Sequence, residues 1–344
     1  MKQFITVIIL TVLLVLSCGK NYNGTYVGYS WKGEAKGVSL EDATEKIETT
    51  LTLDKKGVIT DAKMLFYIKA KDGSWYTRQT TTADIGVDFS VNPSPATAPV
   101  EGTPYAPGKS MFTIKVADPM SLWAVAVDAN GTVAFTLVEP ITRYRFEAKL
   151  PASFDFSTKI KDMTIGNGLI VPTVRTSAGG YIQVNNWENF ANNNILSFYK
   201  DPHVITGRGT FSGISAESTI REMLSKAGVV FDGNVPQPKE VTYGFFGLGG
   251  WEGNYKAISN FLKGKNATKL TSLIDWKNPR YAPSIDENNF FGLNAVSGAT
   301  RTVQNSVDGI AGATVRMSRE STSYQRALVA AGILQEKDVV KGRF

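Results

Sequence analysis

The chain contains a single cysteine, Cys18. No internal disulfide can form, and no cysteine-based metal site can be built. Its one histidine, His203, leaves no clustered His/Cys ligation either. Whatever this chain folds into must be held by its own packed core. Hydrophobic residues make up 42% of the 344 and charged residues 20%, a composition that can supply such a core. The length accommodates one large domain or two ordinary ones. The cysteine also sits at a telling place. Lys2 gives a positive start, and Phe4 to Leu16 is an apolar run of signal-peptide length, too short for a comfortable membrane span. Residues 1–17 are therefore expected to be removed on export.

The run ends Val15-Leu16-Ser17-Cys18-Gly19, which resembles a bacterial lipobox. That resemblance implies cleavage before Cys18 and a diacylglycerol on its thiol. The expected place is the cell envelope, tethered by lipid on the exported side of a membrane, periplasmic or outer. The net charge of +6 is spread along the chain without a Lys/Arg-rich run, so no nucleic-acid surface is indicated.

Periodicity places strands at Tyr26–Trp31, Ile47–Leu53 and 58–68, the last two joined as a hairpin by Asp54-Lys-Lys-Gly57. Five prolines between 91 and 110 exclude a central strand or helix there and predict an irregular surface loop. Leu122–Val127 and Thr132–Val138 flank an Asn-Gly hairpin signal. A helix is expected from a Ser215 cap to a Gly228 stop, others near 255–263 and 267–275, and a last one over 319–331 with Ser318 as its cap. Strands followed by helices without a βαβ rhythm predict α+β, antiparallel sheets with packed helices. The organisation expected is a β-rich part over 18–150 and an α+β part over 151–344.

Catalytic signatures are sparse. There is no Gly-x-Ser-x-Gly elbow beside His203, and no carboxylate spacing for Ca²⁺ or Mg²⁺. Gly244-Phe-Phe-Gly-Leu-Gly-Gly-Trp-Glu-Gly253 has the wrong glycine spacing for a dinucleotide loop. Its aromatics Phe245, Phe246 and Trp251 either pack on a core, the favoured reading, or cover a flat ring. One pattern does carry chemistry. Gly-Ala-Thr occurs twice, ending at Thr300 and at Thr314. Gly298 and Gly312 open backbone conformations closed to other residues, and Ala299 and Ala313 add little bulk. Each threonine hydroxyl can thus be approached closely. A helix starting within 302–313 would turn its free N–H groups toward an anion such as phosphate.

Val296-Ser-Gly-Ala-Thr-Arg-Thr302 resembles the signature of the FMN-binding domain family, which includes flavin subunits of the Na⁺-pumping quinone reductase and of Rnf complexes, and flavinylated lipoproteins. Asn23-Gly-Thr-Tyr-Val-Gly28 and Leu51 to Lys63 resemble its opening strands. The middle does not, and is expected to be a long insertion or a degenerate second copy. The resemblance implies FMN esterified through its phosphate to Thr300, with Ser297, Gly298, Ala299 and Thr302 around it. A flavin transferase using FAD and Mg²⁺ would attach it. Asn294 stands where the family has an acid. The second copy has that acid, Asp308, but carries Ala311 for the serine and Arg316 for the second threonine, so Thr314 with Asp308, Gly312 and Ala313 is the alternative site. No nicotinamide or FAD fingerprint is present. The implied role is an electron carrier, or an oxidoreductase subunit, working between membrane or periplasmic redox partners rather than a complete enzyme. The competing reading is a lipoprotein that binds a ligand or partner without redox work.

The lipobox gives a direct expectation. Cys18→Ala, fractionated after expression in a bacterial host, moves from the membrane to the soluble exported fraction. A variant that stays with the membrane has another anchor.

Overall fold

The computed structural model describes residues 20–80, 82–96, 106–117, 121–139, 144–173, 187–197, 205–247, 249–274, 317–342 and 344. The first sheet is β1 (Gly24–Trp31), β2 (Glu45–Leu53), β3 (Ile59–Lys69) and β4 (Trp75–Thr77), antiparallel in that spatial order. The β2–β3 hairpin forms where expected. The Asp54 carboxylate accepts from the N–H groups of Lys56 and Val58, and Gly57 takes φ +79° to close the turn. Alternation along β2 sends Ile47, Thr49, Leu51 and Leu53 to one buried face.

Two helices cover that face. They are α2 (Gly250–Leu262) and α3 (Met317–Ala330), and with the sheet they form one core. Its large members include Phe66, Trp251, Tyr255, Ile258, Tyr324 and Leu328. The core thus joins the first strands of the chain to its last helix. Gly28 permits the close approach of β1 to α3: a Cβ there would lie 2.1 Å from the Ala327 nitrogen and 2.3 Å from the Ser323 carbonyl.

The chain leaves this core after β4 and returns to it at α2. Between them, β5 (Ala83–Val87) pairs with β6 (Phe112–Val116). A five-stranded antiparallel sheet follows, built of β7 (Leu122–Val127), β8 (Val133–Val138), β9 (Arg145–Leu150), β10 (Ile170–Thr173) and β13 (Lys239–Phe245), in the order β10-β9-β8-β7-β13. A two-stranded β11 (Phe231–Asp232) and β12 (Val235–Pro236) precedes β13. Every residue of β7 and β8 is buried, because both sheet faces are covered. One face packs Val125, Phe135 and Phe146 on α1 (Ile220–Lys226) and Phe211. The other packs Leu122, Ala124 and Ala134 on Ile85 and Phe112 of the β5–β6 pair. The architecture is mixed α/β, with antiparallel sheets and few helices.

Several local expectations are corrected. Thr219, not Ser215, caps α1: its Oγ1 accepts from the Glu222 N–H at 3.1 Å, and Glu222 Oε2 accepts from the Thr219 N–H at 2.6 Å. Ser215 is spent in its own turn with Ser218. Residues 267–274 form turns rather than a helix. Helix α2 begins inside the Gly-rich stretch, where Gly247, Gly249 and Gly250 all have positive φ. α3 begins at Met317, so Ser318 lies within its first turn instead of capping it. In the proline-rich stretch, the Ala96 and Gly108 N–H groups bond the carbonyls of Val171 and Pro172, tying it to β10.

The β1–α3 contact makes a stability prediction. Gly28→Ala forces backbone against backbone and costs about 1–3 kcal/mol or more. Gly86→Ala, where an added Cβ meets nothing within 4 Å, stays within about 0.5 kcal/mol of wild type. Equilibrium urea unfolding of both variants checks this, and equal stabilities would refute the close approach.

Candidate functional site

Cys18, His203 and the whole stretch 275–316 lie outside the described residues. That stretch holds Asn294, Ser297, Gly298, Ala299, Thr300, Thr302, Asp308, Gly312, Ala313 and Thr314. What is described is the helix directly downstream of them, and it is unusual.

Residues Met317 to Gln325 of α3 are all buried, although seven of the nine, Ser318 to Ser323 and Gln325, are polar or charged. A helix buried all round is normally apolar. Here each side chain needs a partner, since burying an unmet polar group costs about 1–3 kcal/mol. Most have one. Ser321 bonds Ser272 and accepts from the Leu273 N–H. Thr322 sits between the Val340 carbonyl at 2.6 Å and the Gly342 N–H at 2.7 Å. Ser323 meets Thr49 of β2 at 2.6 Å. The Tyr324 hydroxyl donates to the Leu270 carbonyl, and Gln325 bridges Thr271 and Val340. Arg326 pairs with Glu34 and Glu336 and donates to the Tyr29 carbonyl.

The first turn of α3 differs. Arg319 is 9% exposed and Glu320 is fully buried. The Arg319 guanidinium lies over the rings of Phe66 at 4.7 Å, Trp251 at 5.3 Å and Phe344 at 5.5 Å. Arg78, just after β4, lies over the same Phe66 at 4.2 Å and Trp251 at 5.4 Å. Glu320 Oε1 accepts twice, from the Tyr255 hydroxyl at 2.7 Å and from Arg319 Nε at 3.1 Å. Glu320 Oε2 and Ser318 Oγ are buried with no hydrogen-bond partner among the described residues.

Electrostatics follow from burial and pairing. Burial pushes the Tyr255 phenol well above its usual range, and the Glu320 charge adds to this. Burial opposes the Arg319 charge, but Glu320, Tyr255 and Glu45 together outweigh it and hold the guanidinium above its ordinary value. For Glu45, burial raises the pKa, yet the Lys32 hydrogen bond at 2.7 Å with the charges of Arg78, Lys32 and Arg319 brings it below the ordinary value. Two guanidinium groups thus lie on aromatic faces beside a buried carboxyl and phenol.

Arg78, Tyr255, Arg319 and Glu320 do not stand out in the sequence. Ser-Arg-Glu-Ser-Thr-Ser reads as the solvated start of a helix, because nothing local reveals that a distant sheet and the C-terminal tail bury it. The favoured reading of the Gly-rich loop does hold for its aromatics. Phe245 packs on the β5–β6 side of the second sheet, Phe246 on its α1 side, and Trp251 in the first core. Among the described residues no group of His, Cys, Asp and Glu could hold a metal, and no helix is long and apolar enough to cross a membrane. No family model, curated protein or solved structure matches the chain.

Glu45 supplies a pH test. Its folded pKa lies below the unfolded one, so its stabilisation is present above the ordinary carboxylate range and is lost as pH falls through the folded value. Wild type is expected to exceed Glu45→Gln in stability at neutral pH, with the gap closing in acid. Urea midpoints across that range measure it; a gap independent of pH would remove Glu45 from the account.

Proposed function

We propose that this protein is a lipid-anchored, exported carrier of covalently bound FMN that passes electrons between redox partners of the cell envelope. The observation that carries the reading is Val296-Ser-Gly-Ala-Thr-Arg-Thr302, with its small residues before a reachable hydroxyl. Thr300 is the proposed ester oxygen. Ser297 and Thr302 would donate to the phosphate, such charge-assisted bonds being worth about 1.5–3 kcal/mol each. Thr314, with Asp308, Gly312 and Ala313, is the alternative.

The surroundings described at α3 fit such a group in chemical character. A flavin brings an anionic phosphate, a ribityl chain of hydroxyls and a flat ring. Arg78 and Arg319 over Phe66 and Trp251 supply cations and aromatic faces. Ser318 Oγ and Glu320 Oε2 supply a buried hydroxyl and a buried acceptor without partners among the described residues. When bound, FMN supplies the one- and two-electron chemistry; the chain supplies position and electrostatics. Arg319 and Arg78 would favour negative charge arriving beside them, and the burial of Arg319 limits the screening of its charge by water. The proposed partners are a flavin transferase using FAD and Mg²⁺, which would attach the group, and a membrane reached through the lipid on Cys18.

The test is co-production with an active flavin transferase. Thr300→Ala should lose in-gel flavin fluorescence and the mass increment on the peptide spanning Val296 to Arg301, while Thr314→Ala keeps both. The reverse pattern moves the site to Thr314. A wild type that stays unmodified sinks the flavoprotein reading and leaves a lipoprotein that binds a ligand or partner without redox work.

A further inference from the structure

The net charge of +6 forms no cluster along the sequence, yet the fold gathers one. Three segments meet at the end of the first sheet where the chain enters it. They are the entry at 20–23, the β2–β3 turn at 54–58 and the turn after α2 at 263–269. Backbone bonds fix them to one another. The Tyr22 N–H donates to the Lys55 carbonyl at 3.3 Å, the Ile59 N–H to the Lys265 carbonyl at 2.9 Å, and the Ala267 N–H to the Gly57 carbonyl at 2.8 Å. Gly57 stands at the junction: a Cβ there would lie 3.1 Å from Thr268 Cγ2 and 3.3 Å from Tyr22 Cδ2.

These segments carry lysine. Lys20, Lys55, Lys56, Lys263, Lys265 and Lys269 are all exposed. Two aspartates answer them. Asp61 pairs with Lys263 at 2.8 Å, and the Asp54 carboxylate is committed to N–H groups of its own turn. Lys55, Lys56, Lys265 and Lys269 make no ion pair among the described residues. Glu336, the first carboxylate after α3, is taken by Arg326. The dipole of α2 accounts for lysines directly at its C-terminus, but not for those at 20, 55, 56 and 269. Aromatic rings lie behind the charges: Lys20 Nζ is 5.5 Å from the Tyr22 ring centre and Lys265 Nζ 5.1 Å from that of Phe261. A cationic face backed by half-buried rings matches a surface of anionic headgroups over hydrocarbon.

We propose that this lysine face lies on a membrane surface containing anionic lipids and sets the orientation of the protein there. The place of the face in the chain selects that partner over a soluble anion. Cys18 precedes Lys20 by two residues, at most about 7 Å of chain. A lipid on Cys18 therefore leaves no linker and holds this end of the sheet at the headgroups. The anchor rests on the preceding reading, whereas the charge of the face does not. The segments are far apart in sequence, so only the fold makes them one surface.

The experiment uses the mature chain, residues 18–344 with Cys18→Ala, so that no lipid contributes. It is titrated at low salt with vesicles of phosphatidylcholine alone and of phosphatidylcholine mixed with phosphatidylglycerol. Partitioning onto the mixed vesicles should be at least about tenfold stronger and should fade as salt is added. A lysine at such a surface is worth about fivefold, so Lys265→Glu/Lys269→Glu is expected to weaken binding about 25-fold or more. Lys36→Glu/Lys71→Glu makes the same change in net charge at the opposite end of the sheet, and should stay within about twofold of the parent. Circular dichroism checks that both variants fold. Equal partitioning onto the two kinds of vesicle overturns the proposal. Equal losses in the two double variants overturn it as well, since the net charge and not this face would then be binding. Mass spectrometry of the protein exported with Cys18 intact tests the anchor separately. A chain without lipid refutes that reading and leaves the vesicle comparison to decide on the face.

Discussion

The buried polar face of α3 is the contact on which the first half of this architecture depends. A helix whose first nine residues are enclosed, seven of them polar or charged, is stable only where its neighbours supply matched groups. β2 offers Thr49, and the β1 hydroxyl of Ser30 donates to the Arg319 carbonyl at 2.7 Å. Residues 270–273 offer carbonyls and an N–H, and the tail at Val340–Gly342 offers both. The turns at 267–274 lack a helical pattern because their backbone groups face α3. The N-terminal sheet and the C-terminal tail are therefore expected to gain their order together, through one helix.

The second sheet solves its burial problem separately, by covering both faces. The link between the two solutions is short and specific. Within seven residues, the chain places Phe245 and Phe246 on opposite sides of the second sheet and Trp251 in the first core. Such changes of direction require backbone conformations that side chains resist, and Gly247, Gly249 and Gly250 provide them at positive φ. The glycines of this stretch thus serve packing geometry, which is why they fail the spacing of a nucleotide loop.

What was legible in the sequence follows from how local the signal is. The hairpins at 45–69 and 122–138 combine alternation with turn residues, and both appear in register. The α1 cap was misplaced because two hydroxyl-rich turns lie side by side. Only Thr219 has a glutamate three residues on, and that reciprocal pair decides the matter. The stretch 267–275 read as a helix because composition alone permits one, and long-range bonds to α3 override it. The Gly-Ala-Thr sequences were visible as motifs of small residues. The Arg78–Tyr255–Glu320–Arg319 cluster was not, since its four members come from three distant segments and each is unremarkable where it stands.

That cluster also runs against stability. Replacing a buried charged group by well-packed apolar residues is often neutral or stabilising, and a bare carboxylate oxygen adds a further cost of desolvation. The first core has apolar side chains on every side of it, with Phe66, Trp251 and Phe344 in ring contact, so a leucine-rich version of the same turn would pack without unmet groups. The chain instead retains the Arg319 guanidinium, a phenol and a carboxyl in a space that excludes water, with the half-buried Arg78 beside them. In such a space, one added charge changes the energy of its neighbours by far more than it would at the surface. Among the described residues, the cluster stands at the start of the helix that follows both Gly-Ala-Thr sequences in the chain.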